Sequence, residues 1–353
     1  MIPMLSKPFS PPPRVFSNLR THFFNCTTIL RSAKPMGSEK LGLIQTRKQA
    51  IFRLANVSGF KTELLEISCH NPALHIVFVP GNPGVVSFYA DFLDWLFEFL
   101  GGTASITAVG HISHSGKDSE SGRLFSLQEQ IDHKISFVDN ELKDVDVPVV
   151  LIGHSIGAHI CLEMFRRSQE KVAYCICLYP FLAVDRTSST QSLIRKIAAS
   201  SALCAALSTI GASLRILPTS ILKFLVKNSI GKSWSSSAVE VLCSHVLQYH
   251  TMRNMLYMAM TEFEKLPENP DWDLIRWKRN RIAFLFGADD HWGPLHLYEE
   301  MCRKVPDASA EVEREGHTHA FSCSEAGSVW VARHVAGIIK KDNGRNLSSE
   351  SKL

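Results

Sequence analysis

Four short stretches of the chain are almost purely apolar and stop at or one residue before a glycine or a proline. They are residues 74–79 (LHIVFV), 147–152 (VPVVLI), 172–178 (VAYCICL) and 281–286 (RIAFLF). Each is too short for a buried helix and reads as a strand covered on both faces. Residues 106–112 predict a further strand. Between these runs the apolar positions follow helical spacing, over 88–100 (FYADFLDWLFEFL), over 126–142, and after Gly153 through Arg167. Strands alternating with helices predict an α/β fold: a mostly parallel sheet with helices on both faces.

The rhythm breaks between Arg186 and Val239. This stretch has no acidic residue but carries Arg186, Arg195, Lys196, Arg215, Lys223, Lys227 and Lys232. Residues 197–214 (IAASSALCAALSTIGASL) carry no charge and predict an apolar helix. Pro218 then separates them from SILKFLVKNSI, where Ile221, Leu222, Leu225 and Val226 can share one face of a second helix. The charge-free run is short and rich in Ala and Ser, so it does not predict a membrane span.

The chain has 353 residues, 45% of them hydrophobic, enough for a sizeable core. Its formal charge of +4 does not suggest a nucleic-acid partner. The nine cysteines are scattered with no C-x-x-C pair, which argues against a zinc framework and predicts reduced thiols in an intracellular protein. Residues 1–38 have no Asp or Glu, but they hold Lys7, Arg14, Arg20, Arg31 and Lys34 and a proline run at 11–13. That composition resembles an organelle transit peptide, and a disordered leader fits it equally well. At the other end stands Ser351-Lys352-Leu353, a receptor-read peroxisomal address after a polar tail.

The chemistry gathers around Gly153-His154-Ser155-Ile156-Gly157. A serine between two glycines, after a strand and before a helix, is the pattern of a nucleophile elbow. Ser155 is the candidate nucleophile, and the N–H of Ile156 is one candidate oxyanion donor. The second donor is expected in the PGNPG loop after LHIVFV. Pro80 and Pro83 have no N–H, which leaves Gly81, Asn82, Gly84 and Val85, with Asn82 preferred. The acid is expected after a late strand, in GADDHWGP, where Asp290 is the choice and Asp289 the fallback. The base is expected last, in EGHTHAF, and spacing does not decide between His317 and His319. His154 is expected to pack below the turn.

VPGNPGVVSFY, GHSIGAH, GADDHW and GHTHAF, in this order, resemble the lipid droplet-associated hydrolase family over roughly residues 45–340, and the chain looks like a plant member of it. The resemblance implies an α/β-hydrolase fold with a helical cap, a Ser-Asp-His triad, lipid esters such as sterol ester or acylglycerol as substrate, and association with lipid droplets. It implies Ser155 as nucleophile and Asp290, two before Trp292, as acid. It implies His319, which precedes Ala320-Phe321, as base. No metal or other cofactor is implied.

The expected organisation is a leader at 1–44, core at 45–185, a cap at 186–270 with helices that bind a droplet monolayer or membrane surface, core again at 271–340, and a tail at 341–353. The expected partners are a lipid ester, that lipid surface and, through Ser351-Lys352-Leu353, the peroxisomal import receptor. Expected locations are droplet and peroxisome, with plastid or mitochondrion as the alternative through the leader. Two other functions stay open: a droplet-binding or tethering protein with minor catalytic activity, and a peroxisomal acyl-thioesterase.

Overall fold

A computed structural model describes residues 50–350 apart from residue 169, with side chains through residue 341. The expected leader and the Ser351-Lys352-Leu353 tripeptide lie outside the described residues.

The described residues open with a hairpin of β1 (Ile51–Val57) and β2 (Phe60–Ile67), turned at Ser58-Gly59 with φ of 52° and 91°. Positive φ at both turn positions matches the right-handed twist of the flanking strands. β3 (Leu74–Val79) follows, then α1 (Ala90–Phe99), β4 (Ala104–Val109), α2 (Leu127–Glu141), β5 (Val149–His154), α3 (Ile156–Arg167) and β6 (Val172–Leu178). The strand expected over 106–112 thus starts two residues earlier and stops at Val109; the Gly110 N–H still reaches Glu63 O at 2.9 Å, but the His111 N–H turns to Gly84 O. Ser126 sets the start of α2, accepting from the Glu129 N–H while the Glu129 carboxylate takes the Ser126 N–H. This satisfies two otherwise orphaned donors.

Between β6 and the next strand lies a helical insertion: α4 (Ser189–Ala198), α5 (Ser201–Ser213), α6 (Thr219–Asn228), α7 (Ser236–Val241) and α8 (Tyr249–Lys265), followed by the short α9 (Trp272–Trp277). A π-helical turn, Leu242–Val246, continues α7. The core then resumes with β7 (Ile282–Gly287), α10 (Leu295–Lys304), β8 (Ser309–Glu313) and α11 (Glu325–Glu350).

The eight strands form one sheet in the order β1-β2-β4-β3-β5-β6-β7-β8. β1, β2 and β4 pair antiparallel, and every pairing from β4 through β3 to β8 is parallel. One apolar core packs α1 and α11 on one face, with Phe92, Leu93, Val331 and Val335 fully buried. The other packs α2, α3 and α10 on the opposite face, around Phe165, Met164 and Met301. The chain reverses its sheet order at β3, which lies between β4 and β5. A site is expected where such a reversal leaves a crevice beyond the carboxyl ends of the strands.

One expectation for the insertion needs correction. The charge-free stretch 197–214 is not one helix. Ile197 and Ala198 close α4, Ser200 caps a new helix by accepting from the Leu203 N–H, and the two axes differ by 93°. No single helix among the described residues is long and apolar enough to cross a membrane, although the α4–α5 pair passes by length and composition as a bent unit. In α6, Leu222 and Val226 are buried, whereas Ile221 and Leu225 are both 46% exposed. The four residues occupy adjoining positions on one side of the helix, where the Leu222–Val226 row packs inward and the Ile221–Leu225 row is open to solvent.

Candidate active site

Four loops leave the carboxyl edge of the sheet, and each carries residues singled out from the sequence. β5 runs straight into Ser155, held at φ +56° and ψ −124°. A side chain rarely adopts this backbone, and it persists where the surroundings over-determine it. Here the Ser155 N–H donates to Leu178 O at 2.9 Å, and Ser155 O accepts from Phe181 N at 3.1 Å. The flanking glycines are required by packing. A Cβ on Gly153 would lie 2.3 Å from Gly157 O, and one on Gly157 would lie 2.3 Å from Val79 O. Strand and helix cross too closely for any larger residue.

The PGNPG loop follows β3, the strand beside β5. Of its four possible donors, the Gly81 N–H is spent on Tyr89 Oη (3.1 Å) and the Gly84 N–H on His114 Nδ1 (2.8 Å). Among the described residues no acceptor takes the N–H of Asn82 or Val85, and Asn82 is the one that lines the pocket beside Ser155. The loop is braced from outside: the His111 N–H donates to Gly84 O at 3.0 Å, and the His111 ring lies so close that a Cβ on Gly84 would overlap it at 2.2 Å.

Asp290 follows β7. It is 5% exposed, and its Oδ2 takes the Nδ1–H of His319 at 2.8 Å. Its Oδ1 accepts from the Trp292 N–H at 2.9 Å. Burial alone would raise the Asp290 carboxyl. The His319 hydrogen bond and charge, together with the Trp292 N–H, hold it below the ordinary value. A carboxylate only accepts, so Nδ1 of His319 carries the proton and Nε2 is left to accept one. Asp289 is exposed. His317 is turned elsewhere, its N–H on Glu313 Oε2 (3.0 Å) and its ring 5.8 Å from that of Trp330. The structure therefore brings Ser155, Asn82 and His319 to one pocket, with Asp290 behind His319.

His154 does more than fill space below the elbow. Its Nε2–H donates to His319 O at 3.0 Å, and its Nδ1 accepts from Tyr89 Oη at 2.7 Å. Tyr89 Oη in turn accepts from the Gly81 N–H. One chain of hydrogen bonds thus joins the PGNPG loop, the elbow and the His319 loop. Burial first, and the neighbouring His319 second, drive the His154 pKa well below the usual range, so it stays neutral and keeps this donor–acceptor pattern. Sequence reading gave no sign of Tyr89, an ordinary member of an apolar run.

The pocket holds about 340 Å³, in the range of small-ligand sites. Its walls are apolar, with Phe88 and Pro83 from the core and Trp234, Leu242, Val246 and Met255 from the insertion. A larger cavity of about 460 Å³ is lined by α2, α3 and the segment after α8, including His159, Arg166 and Asp271. Ser155 does not line it. No cluster of His, Cys, Asp and Glu among the described residues could hold a metal ion.

A sequence model described as lipid-droplet associated hydrolase matches residues 72–322. The lipid droplet-associated hydrolase of Dictyostelium discoideum is 29% identical over 273 residues, which cover 74% of this chain and 86% of that protein. Among solved structures, an epoxide hydrolase from Vigna radiata superposes with a TM-score of 0.59 at 16% identity, over 84% of this chain and 100% of that one. A soluble variant of monoglyceride lipase from Saccharomyces cerevisiae gives 0.57 at 15% identity, over 83% and 96%. At these identities the structural likeness speaks for the fold, which is that of the α/β-hydrolases. With the match spanning most of the sheet and all four loops at its carboxyl edge, the chain belongs to the lipid-droplet associated hydrolase family.

Proposed function

We propose that the chain is a serine hydrolase of lipid esters, sterol ester or acylglycerol, that works at a lipid surface. One observation carries the reading. Ser155 stands on a strained elbow in an apolar pocket that it shares with His319, which a buried carboxylate holds in a single tautomer. In the first half-reaction Ser155 Oγ attacks the ester carbonyl as His319 Nε2 takes its proton. The N–H groups of Ile156 and Asn82 hold the oxyanion, and the proton passes to the departing alcohol. In the second half-reaction His319 takes a proton from water, the hydroxide oxygen attacks the acyl-enzyme, and the proton returns to Ser155 as the acid leaves.

The insertion supports the surface half of the reading. Residues 186–270 would serve as a cap whose inner side walls the pocket and whose outer side meets lipid. Ile210, Ile216, Phe224 and Ile230 all stand exposed on it, Ile216 at 86% and Phe224 at 66%. Such a patch on a soluble body marks an interaction site, and an apolar face with flanking cations suits a lipid monolayer. The basic residues are partly engaged: Lys223 pairs with Glu240 at 3.2 Å, and Arg186 pairs with Glu268. Arg195, Lys196 and Lys232 are exposed and would face anionic headgroups. The curated relatives carry lipid-droplet association in their name, which favours a droplet as that surface.

The same patch favours a second reading, a droplet-binding protein for which catalysis is minor. Labelling with a fluorophosphonate separates the two. Wild type, Ser155→Ala, His319→Ala and His317→Ala are compared with and without droplets. The hydrolase reading expects labelling lost in the Ser155 and His319 variants, kept in His317→Ala, and raised by droplets. Folded wild-type protein that never labels would leave the binding protein. We propose further that the chain also reaches peroxisomes, a reading that rests on the Ser351-Lys352-Leu353 sequence alone. A fluorescent fusion with a free carboxyl end should enter peroxisomes, and loss of the tripeptide should leave it on droplets.

A further inference from the structure

Glu262 takes no part in the chemistry above, yet it is only 4% exposed. It lies on α8 of the insertion, and its Oε1 accepts a hydrogen from Asn82 Nδ2 at 3.0 Å. The second Nδ2 hydrogen of Asn82 goes to Met255 O at 2.9 Å. The side-chain oxygen of the same amide, Oδ1, is buried and has no donor among the described residues. A buried acceptor without a donor is costly, and an ionised carboxylate cannot supply one. A protonated carboxyl can, since it offers one O–H beside its accepting oxygen.

α8 is not free to drift away from this contact. Asn254 Oδ1 takes the Phe125 N–H, Thr261 Oγ1 takes the Leu127 N–H, and His250 Nε2 donates to Ser115 O. Burial pushes the Glu262 carboxyl up to about 8, with the Asn82 hydrogen bond opposing. The titratable groups on the elements around it are His111 and His114 in the β4–α2 loop, His133 and Lys134 on α2, and His154 at the elbow. On the insertion they are His245, His250 and the exposed Arg195 and Lys196. None of them adds a charge effect at Glu262.

We propose that Glu262 is a positioning residue of the oxyanion loop: in its protonated form it gives its hydrogen to Asn82 Oδ1 while taking one from Asn82 Nδ2. This two-way pair fixes the Asn82 main chain, and hence its N–H, against the insertion. The proposal rests on the reading that the Asn82 N–H helps to hold the oxyanion. Loss of the proton would set a carboxylate against Oδ1 and loosen the loop. The effect would fall on kcat, where oxyanion stabilisation acts, with KM little changed.

The test uses the full chain and a soluble p-nitrophenyl ester, followed from pH 6 to 9.5. Glu262→Gln keeps both hydrogen bonds without a titrating group. Wild-type kcat is expected to fall about fivefold or more between pH 7 and 9.5, while Glu262→Gln stays flat and within about threefold of wild type at pH 7. Glu262→Ala is expected to lose about tenfold in kcat at pH 7 with KM within about twofold. In an Asn82→Ala background it should add almost nothing. A Glu262→Gln profile that falls like wild type overturns the proposal, and so does full additivity with Asn82→Ala.

Thermal unfolding gives a readout that needs no activity. The folded carboxyl keeps a proton that an unfolded glutamate releases near pH 4.3. Between about pH 5 and 8 the unfolded state therefore binds one proton fewer, and wild type loses stability relative to Glu262→Gln as pH rises through that window. An inactive chain that still shows this difference sinks the oxyanion reading and keeps the protonated pair. An active chain without it keeps the hydrolase and sinks the pair.

Discussion

The carboxyl edge of the sheet and the outer side of the insertion treat their residues in opposite ways. At the edge the groups that fix the loops are tied to one another: Asp290 with His319 and Trp292, His154 with Tyr89 and the His319 carbonyl, Gly81 and Gly84 with side chains that fix their loop. On the insertion large apolar side chains are left in water, from Ile210 through Ile216 and Phe224 to Ile230. The contacts of the first region fix the Ser155 main chain and the His319 ring. The second leaves its apolar contacts unmade, as the proposed role at a lipid surface requires. The two tasks can therefore be broken separately.

The sharpest break is Ser155→Ala, which should lower turnover of a lipid ester by about 10⁶-fold while binding to droplets stays as in wild type, measured by hydrolysis and flotation in parallel. Next comes Asp290→Asn. It frees the tautomer of His319 and should cost about 10⁴-fold in kcat, again without effect on flotation. The reverse break is the double variant Ile216→Asp, Phe224→Asp. Each side chain removed from the lipid contact is worth about 1.5 kcal/mol, so partition onto droplets should fall about 100-fold while hydrolysis of a soluble ester changes less than threefold. The smallest effect is expected from Tyr89→Phe, which removes the donor to His154 and the acceptor for Gly81. It should lower unfolding stability by about 1 kcal/mol and kcat by about fivefold, read from denaturant titration and initial rates. A variant of one region that also abolishes the other's function in folded protein would merge the two regions into one device.

Much of this arrangement is legible in the sequence, and the reasons are local. β3, β5, β6 and β7 are buried on both faces, so their apolar runs mark them within a residue or two. Ser155 is legible because Gly153 and Gly157 have no room for a Cβ. The β1–β2 hairpin carries its Ser58-Gly59 turn signal, but Ile51, Phe52 and Leu54 face solvent and spoil the expected alternation. β8 (SAEVE) is a half-exposed edge strand with no apolar run to betray it. His317 and His319 are separated by one residue, and what decides between them is Asp290, 29 residues away along the chain. Glu262 is the least legible. In TEFEKL it reads like part of a solvated helix face, and only the fold of the insertion onto the PGNPG loop buries it.

The bare apolar surface also bears on how the protein would behave in a tube. Two copies can shelter Ile216 and Phe224 by facing each other, so self-association and lipid compete for the same side chains. At a fixed area of interface, specific activity would then fall as protein concentration rises. Dilution or a mild detergent would restore it, and the molecule would show a kinetic order in enzyme below one.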